Sequence, residues 1–111
     1  MDEDQSTKKI YKLQAELCKT LADPTRLEIL NLLRNGEKSV GELATLTGVR
    51  QATISQHLAV LRQREVVSTR KDGANIYYSV KNQKIIEACD ITKTVLFEQI
   101  TEMETLTANA R

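Results

Sequence analysis

The side chains between Arg50 and Arg64 are of types that form hydrogen bonds rather than break covalent ones. If Ile54, Leu58 and Leu61 turn inward at i, i+4 and i+7, the opposite helix face presents Gln51, Ala52, Ser55, Gln56, Ala59 and Arg62. A glutamine can pair bidentately with adenine and an arginine with guanine, and small neighbours suit close approach to base edges. Arg50, Thr53 and His57 complete the candidate contacts on this helix. Arg70 and Lys71 form a second group, where cations can reach phosphates beside a docked helix. The chemistry on offer is recognition of double-stranded DNA. Each group also has a plainer reading, since Gln and Ser occur on solvated helices and charged hairpin tips keep sheet edges soluble. Their adjacency favours recognition.

Those groups need a frame, and local signals supply one. Ser39 with Glu42 has capping-box spacing and starts a short helix that carries Leu43, Ala44 and Leu46 toward a core. Gly48 can end it in a left-handed turn. A second helix starts near Arg50. Val67 to Lys71 and Asn75 to Val80 are β-branched or aromatic runs around Asp72-Gly73, a strong hairpin signal. Upstream, Ile10, Leu13, Leu17 and Leu21 form a helical stripe ending at Asp23-Pro24, a cap and first-turn proline. The helix from Pro24 to about Leu33 is expected to bury Leu27, Ile29, Leu30, Leu32 and Leu33. Downstream, Asn82 caps a long terminal helix to about Thr107. Ile85, Ile86, Cys89, Leu96, Ile100, Met103 and Leu106 line it, and Val95 and Phe97 widen the stripe. At ~1.5 Å per residue this helix is ~36 Å long, more than a small core needs. Its far turns stay wet unless another surface covers them, so the first and last helices are expected to form a dimer interface.

Charge is polarised. The chain carries +1 overall, but residues 50–84 hold seven basic side chains (Arg50, Arg62, Arg64, Arg70, Lys71, Lys81, Lys84) against Glu65 and Asp72. That is a local +5, leaving −4 elsewhere. The 111 residues fit one domain (1–111), with residues 1–6 and 108–111 expected to be disordered. One Phe, three Tyr and no Trp leave packing to aliphatic side chains. No apolar run is long enough for a membrane span, no secretory leader is evident, and two cysteines are too few for a disulfide scaffold. A reduced, cytoplasmic setting is expected.

The segments TLADPTRLEILNLL, SVGELATLTGV, ATISQHLAVLRQREVV and TRKDGANIYYSV resemble, in order and spacing, the ArsR/SmtB family of winged-helix transcriptional repressors. The resemblance covers roughly Leu17 to Val80. It implies a mainly α (α+β) fold: a winged helix–turn–helix with a two-stranded hairpin wing, flanked by terminal helices. It also implies a homodimer on a palindromic operator, released by an effector or by thiol modification. The helix from Arg50 would be the recognition helix, and Arg70 to Ala74 the wing.

The sensed signal is less legible. Family members often bind metal through two cysteines around a valine before the recognition helix; here Ser39 and Gly41 stand there. Others use Asp and His on the terminal helix, where this chain has Asp90 and no histidine. No metal or cofactor is therefore expected. Cys18 and Cys89 lie on the two helices expected to pair and could form a disulfide or polysulfide bridge in response to reactive sulfur or an oxidant. Lys19 favours a thiolate at Cys18, whereas Glu87 and Asp90 disfavour one at Cys89. Two plainer readings stay open: both thiols as small buried apolar groups, or as ligands for arsenite or a soft metal. His57, the only histidine, sits at the margin of the buried stripe, where a packed or backbone-bonded role competes with a base or phosphate contact. No nucleophile–base constellation or phosphate-cradling loop stands out, so an enzyme is not expected. A winged-helix protein-docking module is the remaining alternative.

Overall fold

The computed structural model describes residues 3–109. Among them eight elements follow in order: α1 (Glu3–Leu21), α2 (Pro24–Leu32), β1 (Lys38–Ser39), α3 (Val40–Thr47), α4 (Gln51–Gln63), β2 (Val67–Asp72), β3 (Asn75–Val80) and α5 (Lys84–Asn109). The ends expected to be disordered fall partly outside the described residues; α1 already includes Glu3, and α5 runs to Asn109.

Short polar side chains set the helix starts. Asp23 is extended, and its Oδ1 accepts from the amides of Thr25 (2.9 Å) and Arg26 (3.1 Å), with Pro24 in the first turn of α2. Ser39 Oγ accepts from the Glu42 amide at 3.2 Å while Glu42 Oε1 accepts from the Ser39 amide at 2.9 Å, so both halves of the capping box form. Gly48 closes α3 at φ +74, its amide donating to Ala44 O. Asn82 Oδ1 accepts from the Lys84 amide at the start of α5. The α4 terminus is less regular. Glu65 adopts φ +60, the one described non-glycine residue with positive φ, while the Val66 amide reaches back to Leu61 O at 2.9 Å.

These helices enclose Ile29, Leu30 and Leu33 of α2 and its end, Leu43 of α3, and Ile54, Leu58 and Leu61 of α4. Val66, Val67 and Ile86 complete the core. Burying each such aliphatic side chain favours folding by ~1.5–3 kcal/mol, so this cluster fixes how α3 and α4 sit on α2. Two residues expected inside are not. Leu27 is 43% exposed and Leu46 is 54% exposed. Leu27 lies more than a quarter turn from the Ile29–Leu30–Leu33 face, and Leu46 is in the last turn of α3, just before Gly48.

The sheet is antiparallel in the order β1-β3-β2. The two-stranded hairpin expected from sequence is present, with Val67 opposite Val80 and Asp72 opposite Asn75. A third strand joins it: Lys38 pairs with Tyr78 and Ser39 with Tyr77. Gly73 takes φ +61 in the two-residue loop Gly73-Ala74.

The outer helices contribute only their near ends. Leu17, Thr20 and Leu21 of α1 and Ile85 and Ile86 of α5 pack on the core. Ile10, Tyr11 and Leu13 remain exposed on α1, as do Leu96, Ile100, Met103 and Leu106 on α5. The described chain spans 60 × 49 × 22 Å.

Candidate nucleic-acid interface

At ~100° per residue, Gln51, Arg62, Ser55, Ala59, Ala52 and Gln56 fall within an arc of ~140° on α4. All six are exposed. The inward arc holds Leu61, Ile54 and Leu58, each fully buried. The sequence-derived contact face is thus a single outward surface on a helix anchored by three aliphatic side chains. Thr53 is half-buried at its edge, and the Gln51 amide lies beside Gly41 at the start of α3. Arg50 supplies no capping side chain to α4, which leaves its first amides for solvent or an anion.

His57 is turned away from that face. Its Nδ1 accepts from Arg26 Nε of α2 at 3.1 Å, and its Nε2 lies 3.9 Å from Asp23 Oδ1. Of the two roles weighed for this histidine, the packed one describes its position, with a side-chain partner instead of a backbone one.

The wing cations differ from each other. Arg70 is gripped by Glu37, which precedes β1: Nε lies 3.0 Å from Oε2, and Nη2 donates to Oε1. Its guanidinium also stacks 4.9 Å from the centre of the Tyr77 ring and lies 3.8 Å from Asp72. The hydrogen bonds from Arg70 hold the Glu37 carboxyl below the usual carboxylate range. Elsewhere in the basic segment, Arg64 faces Glu16 at 3.6 Å and Lys81 binds Glu65 at 2.8 Å. Among the described residues, Arg50, Arg62, Lys71 and Lys84 have no acidic side chain within ion-pair distance. Sequence reasoning missed Glu37 and Arg26. The pairing of Ser39 and Arg70 to the same Tyr77 would have pointed to Glu37, had β1 been foreseen.

The structure places the two cysteines in different environments. Cys18 is exposed on α1; Cys89 is half-buried on α5, and both are free thiols. Cys89 borders a groove of about 290 Å³ between α2 and α5, with Leu27, Leu30, Ile86 and Leu96 as its apolar lining. Burial pushes the Cys89 thiol up, against the pull of Lys93 and Arg34. Asp90, the position resemblance would make a metal ligand, is engaged bidentately by Arg34 (2.7 and 3.1 Å), with Lys93 at 3.6 Å.

Comparison with known proteins places this geometry in a lineage. Residues 23–69 match the family model described as "Bacterial regulatory protein, arsR family". An uncharacterized HTH-type transcriptional regulator of Mycobacterium tuberculosis, Rv0081, is 43% identical over 88 residues, covering 78% of this chain and 77% of that one. Its crystal structure superimposes with a TM-score of 0.75 at 40% identity over 84% of this chain and 94% of that one. The biofilm growth-associated repressor of Agrobacterium fabrum is 46% identical over 77 residues, 67% of this chain and 66% of the repressor. A homodimeric winged helix-turn-helix DNA-binding domain from Mycobacterium bovis, Mb0332, gives a TM-score of 0.77 at 27% identity, covering 92% and 93%. No helix among the described residues is long and apolar enough to cross a membrane. The matched stretch runs from the Asp23 cap of α2 through α3 and α4 into β2, the part of the fold that carries the outward α4 face, and the chain belongs to the ArsR family of bacterial regulatory proteins.

Proposed function

We propose that the protein is a sequence-specific DNA-binding repressor, acting as a homodimer on a palindromic operator. The observation that carries this is the α4 surface: amide, hydroxyl and guanidinium groups of Gln51, Ser55, Gln56 and Arg62 on one exposed arc, opposite a fully buried one. Gln51, Gln56 and Arg62 would read base edges, with Ala52, Thr53, Ser55 and Ala59 allowing close approach. Arg50 and Lys71 would hold phosphates on either side, joined by Arg70 to the extent that Glu37 releases it. His57, directed at α2, acts through the helix rather than on DNA.

Dimerisation is supported by the apolar faces that α1 and α5 leave uncovered, and by the homodimeric state of the Mb0332 domain. Two copies paired through these helices would hold two α4 helices about one DNA turn, ~34–36 Å, apart. Repression is supported by the similarity to a biofilm growth-associated repressor. For the release signal, thiol chemistry at Cys18 and Cys89 is favoured over metal binding, because Arg34 and Lys93 already engage Asp90.

Selection of bound duplexes from a random pool by the reduced protein tests the reading. A recovered palindrome is expected, with binding that weakens steeply as salt rises. Gln56→Ala should then cost ~1–3 kcal/mol mainly at one base pair of each half-site, whereas Lys71→Ala should weaken all duplexes alike. Recovery of no preferred sequence at low salt rejects the proposal. If operator release by oxidant or polysulfide survives Cys18→Ser and Cys89→Ser together, the thiol signal is rejected.

A further inference from the structure

Arg26 lies in the first turn of α2, does not belong to the outward face of α4, and is half-buried. Its side chain nevertheless joins three helices. Nη1 donates to the carbonyl of Thr20 in the last turn of α1 at 2.9 Å, and Nε donates to His57 Nδ1 in the middle of α4 at 3.1 Å. Its own amide donates to the Asp23 carboxylate, whose Oδ1 lies 3.9 Å from His57 Nε2. Thr20 is itself buried, with its hydroxyl donating to Glu16 O. A guanidinium offers donors in a fixed planar fork, so two acceptors on different helices are held at a set angle.

The other inward contacts of α4 come from Ile54, Leu58 and Leu61, which are apolar. Such packing is strong but non-directional: it resists pulling the helix away more than it resists a small turn about the helix axis. The bond from Arg26 to His57 is directional, and His57 is the chain neighbour of Gln56 and two residues from Ser55. Side-chain tips on a helix lie ~5–6 Å from its axis. A turn of ~10° therefore moves a base-reading amide by ~1 Å, beyond the ~0.5 Å tolerance of a well-placed contact.

We infer that Arg26 is a positioning residue for DNA reading: through His57 it fixes the rotation of α4, and through Thr20 it ties that rotation to α1. The inference rests on the DNA-binding reading above, in which α1 belongs to the pairing surface. It adds that, besides the exposed Arg64–Glu16 ion pair at the end of α4, a half-buried guanidinium that touches no DNA links the pairing helix to the middle of the reading helix. An Nδ1 that accepts from Arg26 carries no proton, so the ring holds its proton on Nε2, directed toward Asp23.

The lone histidine makes this testable in the full-length protein. Wild type, Arg26→Gln, Arg26→Lys and His57→Leu would be compared at a temperature well below the melting point of each. Three readouts apply: the affinity ratio between the selected duplex and a random duplex, the slope of log affinity against log salt, and the ¹⁵N shifts of the His57 ring. Wild type is expected to show the Nε2–H tautomer. Arg26→Gln should shift the His57 Nδ1 resonance, which loses the hydrogen bond from the guanidinium, and should lose about tenfold of the affinity ratio, the scale of one charge-assisted hydrogen bond, with its salt slope unchanged. His57→Leu should lose a similar factor, and the double variant no more than either alone. Arg26→Lys, which keeps the charge without the fork, should fall between wild type and Arg26→Gln, and it decides the matter if Arg26→Gln does not fold.

An unchanged affinity ratio in a folded variant overturns the inference. So does a salt slope reduced by ~0.9 per protomer, which would make Arg26 a phosphate contact. A His57 Nδ1 resonance unchanged in Arg26→Gln overturns it without reference to DNA. Failure of the wild type to prefer any duplex would instead reject the DNA-reading proposal itself.

Discussion

Replacing Glu37 by glutamine is expected to tighten binding to every duplex, and to do so only while Arg70 is present. In the free protein the Arg70 fork is engaged by Glu37 while the guanidinium rests on Tyr77. Glutamine keeps the shape of that partner but removes the charge that competes with phosphate. If Glu37 retains Arg70 in the wild-type complex, Glu37→Gln adds one phosphate contact per protomer. Each contact contributes ~0.9 to the slope of log affinity against log salt, so a dimer gains ~1.8. Over a fourfold change in salt, the advantage of the variant should then grow by about tenfold as salt is lowered. Fluorescence anisotropy on a selected and a random duplex across a salt series measures this directly.

The control is the double variant Glu37→Gln/Arg70→Ala. Removing one negative charge per chain strengthens attraction to DNA at long range whether or not Arg70 exists. If the double variant binds no more tightly than Arg70→Ala alone, the gain acts through the guanidinium. An equal gain in both backgrounds refutes the reasoning. A salt-independent gain refutes it differently, by showing that Arg70 already leaves Glu37 when the wild type binds. Acidification is no substitute: a carboxyl held below its ordinary range stays ionised until well into the acid limb, where folding itself weakens.

Ile100→Glu, on an exposed turn of α5, should leave the folded chain intact and raise the dimer dissociation constant by at least ~10-fold, read by sedimentation; an unchanged constant would remove α5 from the interface. Glu65→Gly relieves a left-handed backbone at an exposed position and should stabilise the fold by up to ~1 kcal/mol in chemical denaturation, whereas a loss would mean that the Lys81 pair outweighs the strain. A thiol-alkylating reagent should label exposed Cys18 before Cys89 at neutral pH. Because the Cys89 thiol is pushed up, its labelling should keep accelerating with pH above the ordinary thiol range; a plateau near neutrality in peptide mass spectra would contradict this.

The parts of the fold legible in the sequence are those fixed by neighbours within a few residues. Ser39 and Glu42 cap each other, Gly48 supplies the left-handed terminus, and Ile54, Leu58 and Leu61 define the buried arc of α4. The hairpin was legible, but its turn lies one residue further along: Asp72 joins the ladder opposite Asn75, leaving Gly73-Ala74 as the loop. What escaped depends on distant partners. β1 has two residues and no periodicity of its own, and it exists because Tyr77 and Tyr78 offer it an edge. The Arg70–Glu37 pair spans 33 positions and the Arg26–His57 bond 31, separations at which spacing carries no signal. The candidate α4 face was therefore readable from sequence, whereas the groups that restrain or aim it were not.

Electrostatics shows why that difference matters for function. On a random duplex, where Arg62 has no matching base edge to read and acts as one more cation, α4, its end and the wing offer five along the chain: Arg50, Arg62, Arg64, Arg70 and Lys71. Ten in a dimer would give a salt slope near −9. Folding, however, brings Glu16 onto Arg64 and Glu37 onto Arg70, acidic residues from outside the basic segment. Arg50, Arg62 and Lys71 remain, six in a dimer, and the expected slope falls to about −5. The two counts differ by far more than the error of a binding titration. A measured slope near −9 would mean that DNA displaces both carboxylates on docking, so that the ion pairs of the free protein hold the wing and α4 in place only until phosphate arrives. A slope near −5 would mean that these pairs persist. Non-specific attraction would then be set by three cations per protomer, and a larger share of the affinity would have to come from the α4 side chains proposed to read bases.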